Sequence, residues 1–259
     1  FEAILRATPR LKKLVLPSQT QIKITGTSPY FPRELEMLDL KGATSMRSNC
    51  LHWLPAKGLQ TLRVGGPQPQ PYQASWWGDG EVVYDGDAAT GNRAMDCSYQ
   101  LSFFLQNKAQ SLRNLELIGF AASSVDLRRA HALSTLILKD VLPSLGALKL
   151  PNESTNRVTE FTLSGADVLP DVELSNAVRV SRWSLRVLNL VGARRLSSDL
   201  VATLPTVGGL THLSLGPRAE NNDYWACTSA AGLSMMLSKL IHLRTLEIAN
   251  CGCGNFIPL

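Results

Sequence analysis

The 259 residues of this chain predict an α/β solenoid, a curved stack with a parallel sheet on its concave face and helices on its convex face. Three observations predict it. A phrase of apolar residues, L-x-x-L-x-L, recurs along nearly the whole sequence, and its starts keep an offset near 25. Its second and third apolar places stand two apart, so in a strand both point to one face. Between the phrases lie amphipathic runs that return the chain to the start of the next strand.

The phrase starts at Leu11, Leu35, Leu59, Leu112, Leu133, Val158, Leu185, Leu210 and Leu243, with successive offsets of 24, 24, 53, 21, 25, 27, 25 and 33. Leu185-Arg186-Val187-Leu188-Asn189-Leu190 is its clearest copy. One strand and one return cannot bury their leucines alone, whereas stacked neighbours share a continuous core. The spacing predicts a single domain over 1–259 of about nine to ten repeats. Returns read as helices over 46–54, 99–105, 125–132, 172–183, 198–204 and 232–240. Ser197-Ser198-Asp199 offers an N-cap, and Pro205 stops the helix behind it. Leu145-Gly146-Ala147-Leu148-Lys149-Leu150 also fits the phrase but falls 12 residues after Leu133, and reads as a variant return segment.

Two stretches break the rhythm. Residues 66–97 hold Gly66-Pro67-Gln68-Pro69-Gln70-Pro71, then Trp76-Trp77-Gly78-Asp79-Gly80, and their Pro and Gly density predicts a long insertion after Val64. The 53-residue interval that contains them would also hold a degenerate repeat around Val82-Val83-Tyr84. Residues 216–228 form a smaller insertion.

These repeats resemble the leucine-rich repeat family. Leu243-Arg244-Thr245-Leu246-Glu247-Ile248-Ala249-Asn250-Cys251 is similar to L-x-x-L-x-L-x-x-C, the cysteine-containing subtype found in F-box proteins. Leu196-Ser197-Ser198-Asp199-Leu200 stands where that subtype begins its helix, while Ala43 and Ala193 replace the cysteine in other copies. The resemblance implies a non-enzymatic scaffold for protein–protein recognition, with the repeats presenting substrates to a ubiquitin ligase. An F-box would have to precede Phe1.

Composition bounds the function classes. The chain is 44% hydrophobic and 18% charged with a formal charge of +5, a mean hydropathy near zero and a pI near 9.0, as in ordinary globular proteins. Its Lys and Arg are scattered, the densest clusters being Lys12-Lys13, Arg128-Arg129 and Arg194-Arg195. Nucleic-acid proteins carry a basic stripe interleaved with aromatics instead. No apolar window is long enough to span a membrane. The chain opens at Phe1 within a helical pattern and stops at Leu259 just after a strand, so it reads as a piece of a longer protein. Cys50, Cys97, Cys227, Cys251 and Cys253 are odd in number and irregularly spaced. They read as reduced thiols of an intracellular protein, and the sequon Asn152-Glu153-Ser154 points the other way.

No catalytic motif, cofactor fingerprint or metal-ligand spacing occurs. Cys251-Gly252-Cys253 lacks a second pair, and Asp79, Asp85 and Asp87 do not follow calcium-loop spacing. The expectation is no enzyme, no cofactor and no metal. Candidate partner-binding residues are the outward places of the strands: Asp39, Arg63, Asn114, Glu116, Glu160, Asn189, His212 and Glu247. Asp39 and Arg63 are expected to pair laterally on an exposed surface. Trp76, Trp77 and Tyr84 of the insertion are interface anchors or a shield over a solenoid edge. Two other readings stand beside the recognition scaffold. One is a structural or assembly subunit of a large mitochondrial or ribosomal particle, its basic charge facing RNA. The other is an extracellular receptor ectodomain.

Overall fold

The computed structural model describes residues 2–16, 23–24, 31–41, 45–46, 54–55, 58–65, 98–118, 124–139, 145–164, 169–191, 198–216 and 230–248. The 66–97 stretch with Trp76, Trp77 and Tyr84, residues 217–228 and all five cysteines lie outside the described residues.

In chain order the elements are α1 (Glu2–Ala7), β1 (Lys13–Val15), β2 (Lys23–Ile24), β3 (Met37–Asp39), β4 (Ser45–Met46), β5 (Thr61–Gly65) and α2 (Ser98–Lys108). Then come β6 (Asn114–Ile118), β7 (Ser124–Asp126), β8 (Thr135–Lys139), β9 (Ala147–Lys149), β10 (Glu160–Ser164) and α3 (Asp171–Val180). The last are β11 (Val187–Val191), α4 (Ser198–Thr203), β12 (His212–Gly216), α5 (Ala230–Leu237) and β13 (Thr245–Ile248).

Every copy of the phrase becomes a strand of one nine-stranded parallel sheet, ordered β1-β3-β5-β6-β8-β10-β11-β12-β13, but the sheet is not curled, so the concave curvature expected of it is not found. The register joins like places of the phrase. Lys13 pairs with Met37, Met37 with Thr61, Thr61 with Asn114, and so on to His212 with Thr245. A backbone device repeats at each junction. The carbonyl in the second place of one phrase accepts the N–H groups of the second and third places of the next. Lys12 O accepts from Glu36 and Met37 at 2.8 and 3.0 Å, and Thr211 O accepts from Arg244 and Thr245 at the same two distances. Thr159 and Thr211 add their own hydroxyl donors to the same carbonyls.

The return segments form a second layer. Where a return is extended, it pairs with the next in parallel, β2 with β4 and β7 with β9. Where it is helical, it packs on the next helix, α3 on α4 and α4 on α5. Leu101, Phe104 and Leu105 of α2, Leu174, Ala177 and Val178 of α3, and Leu233 and Met236 of α5 supply the buried i, i+3, i+4 faces. Asp171 and Glu173 in the first turn of α3, with Arg179 in its last, complement the helix dipole. Pro205 opens a 3-10 turn, Leu204–Thr206, directly behind α4, so the helix stops where the sequence indicates.

One return reading needs correction. Residues 125–132 are not helical, because β7 and the turns after it occupy that stretch. The repeat from Leu112 to Leu133 is the shortest in the chain, and an extended return covers the distance in fewer residues than a helix. Asp126 fixes the turn: its carboxylate accepts the Arg128 backbone N–H at 3.1 Å and the Arg128 guanidinium at 2.6 Å. That guanidinium holds the Asp126 carboxyl below its ordinary range. Of the return read over 46–54, Met46 lies in β4 paired with Ile24, and residues 47–53 lie outside the described residues. By contrast, 147–149 is β9, paired with β7 and outside the large sheet, as a variant return segment should be.

The phrase leucines make one core between the layers. Leu38, Leu62, Leu115, Leu136, Leu188 and Leu213 are buried at the same place in successive strands, and Phe161 takes that place in β10. Only the ends differ. Leu14 is partly buried, and Leu246 on β13 is 40% exposed, because among the described residues each has a strand on one side alone. Asn156 is a buried polar residue with both ends of its amide engaged: it accepts the Val158 N–H at 2.9 Å and donates to Ser181 Oγ at 3.1 Å.

Candidate functional site

The outward side chains of the sheet form two columns. The third-place column runs Lys13, Met37, Thr61, Asn114, Thr135, Glu160, Val187, His212 and Thr245. The fifth-place column runs Val15, Asp39, Arg63, Glu116, Ile137, Thr162, Asn189, Ser214 and Glu247. Eight of the expected site residues, Asp39, Arg63, Asn114, Glu116, Glu160, Asn189, His212 and Glu247, are thereby brought onto one surface.

Chemically the surface has two halves. Over β3, β5 and β6 its charges are satisfied among themselves. Arg63 stands between two carboxylates, with Nη1 3.4 Å from Asp39 Oδ2 and Nε 3.1 Å from Glu116 Oε2. Lys41 crosses above, 3.4 Å from the same Glu116 oxygen and 3.9 Å from Asp39. Its backbone N–H also donates to Asp39 Oδ1 at 3.1 Å. Gly65 permits this crossing, because a Cβ there would lie 2.9 Å from the Lys41 Cα. Two cations and two anions close a neutral cluster. Beside it, Asn114 donates to Thr61 Oγ1 at 3.1 Å.

The expected pairing of Asp39 with Arg63 is therefore present, but its setting is not the exposed one anticipated. Asp39 is 4% exposed and Glu116 9%. A side chain at an outward place is ordinarily half-solvated. Here the two long cations lie over the carboxylates and remove them from water, so the surface-pair value of about 0–1 kcal/mol is too small for this cluster. Glu116 follows from its place beside Arg63 in the column, whereas Lys41, which lies after its strand, was not legible as a member of it.

Over β8 to β12 the surface changes. Thr135, Ile137, Glu160, Thr162, Val187, Asn189, His212 and Ser214 offer hydroxyl, amide, imidazole and aliphatic groups, with Glu160 the sole formal charge among them. Asn189 Oδ1 is buried with no hydrogen-bond partner, between Thr162 and Ser214 in its column. An amide oxygen held this way faces no solvent, so its unmet acceptor capacity is a cost within the fold. Farther along, Ser214 donates to Glu247 Oε2 at 3.1 Å, and Thr211 Oγ1 lies 2.8 Å from His212 Nδ1. This half therefore differs from the first in carrying polar and aliphatic groups with little formal charge.

One concave feature was not anticipated. At the edge where β11, β12 and β13 begin, a cavity of about 780 Å³ is lined by Arg182, Trp183, Arg186, Thr211, His242 and Arg244, among others. Its sequence signal is the second place of the phrase, where Arg186 and Arg244 stand two strands apart with Thr211 between them.

Among the described residues, no group of three or more His, Cys, Asp or Glu is placed to hold a metal ion. No helix among them is long and apolar enough to cross a membrane. Comparison with protein-family models, with curated proteins and with solved structures returns no match to this chain.

Proposed function

We propose that the chain is a leucine-rich repeat protein, its parallel sheet on one face and its return layer on the other, that acts as a non-enzymatic scaffold for protein–protein recognition. The observation that carries this reading is the division of the sheet face. Charges at one end neutralise each other, and the other end presents hydroxyl, amide, imidazole and aliphatic groups with Glu160 as the sole formal charge among them. A polyanion needs a continuous basic track, whereas a folded protein needs shape, apolar contact and dispersed polar groups. Thr135, Ile137, Glu160, Val187, Asn189 and His212 supply the latter. The similarity of Leu243–Cys251 to the subtype in F-box proteins makes a ubiquitin-ligase substrate receptor the specific form of the proposal.

Affinity purification of the full-length protein from its own cells, with partners identified by mass spectrometry, tests both levels. Ubiquitin-ligase adaptor and cullin subunits are expected, together with a protein lost from the Glu160→Lys, Asn189→Arg variant. Ribosomal or organellar subunits, retained by the variant, would replace the receptor with an architectural component.

A further inference from the structure

The cavity at the start of β11, β12 and β13 holds an electrostatic imbalance that the sheet-face reading does not use. Arg182, Arg186 and Arg244 line it with His242, and among the described residues no carboxylate does. Arg182 is already engaged. Its Nε lies 2.7 Å from Glu153 Oε1, the Trp183 indole N–H donates to the same oxygen, and its guanidinium stacks over the Trp183 ring at 4.9 Å. Arg186 and Arg244 are different. Among the described residues neither has a carboxylate partner, and Arg186 reaches only the Leu185 carbonyl, at 3.5 Å.

The backbone brings these two cations toward each other. Arg186, Thr211 and Arg244 occupy the same place on consecutive strands, since Arg186 O accepts from Thr211 N and Thr211 O from Arg244 N. Two strand spacings, about 10 Å, therefore separate their backbones. The Arg186 side chain then leans one repeat toward Arg244, because its guanidinium lies on Gly209, where any Cβ would collide with it. Glycine at 209 thus provides the floor on which the first arginine rests. Two guanidiniums directed into one cavity without a counter-ion repel each other, and an anion between them relieves that repulsion.

The walls select among anions. Trp183 and Ile241 are large apolar residues, 67% and 81% exposed, at the rim of the same cavity. They fit an apolar side chain adjoining the charged group. Glu153, bound to Arg182, interrupts the basic surface on that side, so it does not continue as a track that a phosphate backbone could follow. One concentrated charge is accommodated where a polyanion is not. A phosphate monoester, with three acceptor oxygens and a charge near −2, satisfies two guanidinium forks better than a carboxylate does. We infer that this cavity binds a phosphorylated side chain of a partner protein, Arg186 and Arg244 holding the phosphate while Trp183 and Ile241 hold a neighbouring apolar residue.

Fluorescence anisotropy on the whole chain tests this with a labelled peptide carrying phosphoserine two residues before leucine. Comparison probes are its unphosphorylated and glutamate twins and a labelled twenty-nucleotide oligouridine. The phosphopeptide is expected to bind at least tenfold more tightly than either twin. Arg186→Gln with Arg244→Gln should remove at least tenfold of that affinity while leaving the melting temperature and the sheet-face partner unchanged. Gly209→Ala, which displaces the Arg186 guanidinium without changing charge, should weaken binding several-fold and provides a second test if the double variant folds poorly. Equal binding of the three peptides, undiminished binding by both variants, or tighter variant-sensitive binding of oligouridine would each overturn the assignment.

Discussion

Leu188→Ala is expected to lower the free energy of unfolding by about 3–4 kcal/mol, the range for a large-to-small change in a well-packed core. Leu188 is fully buried in β11, with β10 on one side and β12 on the other, and the core around it is shared between neighbouring repeats. Rigid strands on both flanks prevent the site from collapsing around the missing atoms. Leu246→Ala, the same substitution at the same place of the phrase, is expected to lose less than about 1.5 kcal/mol, because that residue is 40% exposed and already in contact with water. Urea denaturation followed by circular dichroism measures both. Equal losses would mean that the last repeat is packed as tightly as the interior ones.

Arg63→Ala is expected to cost about 2 kcal/mol, well above the value of an exposed ion pair. The substitution strands two nearly buried carboxylates, Asp39 and Glu116, with Lys41 alone between them. Breaking one partner of a fully buried pair costs roughly 3–5 kcal/mol. The smaller figure reflects the partial exposure of Arg63 and the cation that remains. Adding Asp39→Asn and Glu116→Gln to Arg63→Ala should recover most of the loss, since the uncompensated charges are then gone. A loss under about 0.5 kcal/mol for Arg63→Ala would show that water, not Arg63, compensates the carboxylates.

The parallel sheet and its register were legible because a phrase with fixed internal spacing can align with its neighbours in one way only. A slip of one residue would turn Leu188 and Leu190 outward. From that, both outward columns follow, down to the Asp39–Arg63 juxtaposition. What lay beyond the sequence were contacts made by residues outside the six-residue phrase. Lys41 sits after its strand and reaches Glu116 across the intervening β5, so no local spacing announces it. The extended return at 124–126 was hidden because its apolar pattern fits either period and the shortness of the repeat decides. The arginine cavity joins the turns of three repeats, and single-repeat reading does not assemble it.

Site-specific photo-crosslinking in the full-length protein, in its own cells, tests the recognition reading most directly. A photoreactive residue is placed in turn at Val187 and Asn189 on the sheet face and at Val172, an exposed residue of α3 in the return layer. A protein adduct of one defined mass from the two sheet positions, absent from Val172, is the expected result. Adducts confined to Val172, or adducts removed by ribonuclease, would contradict it.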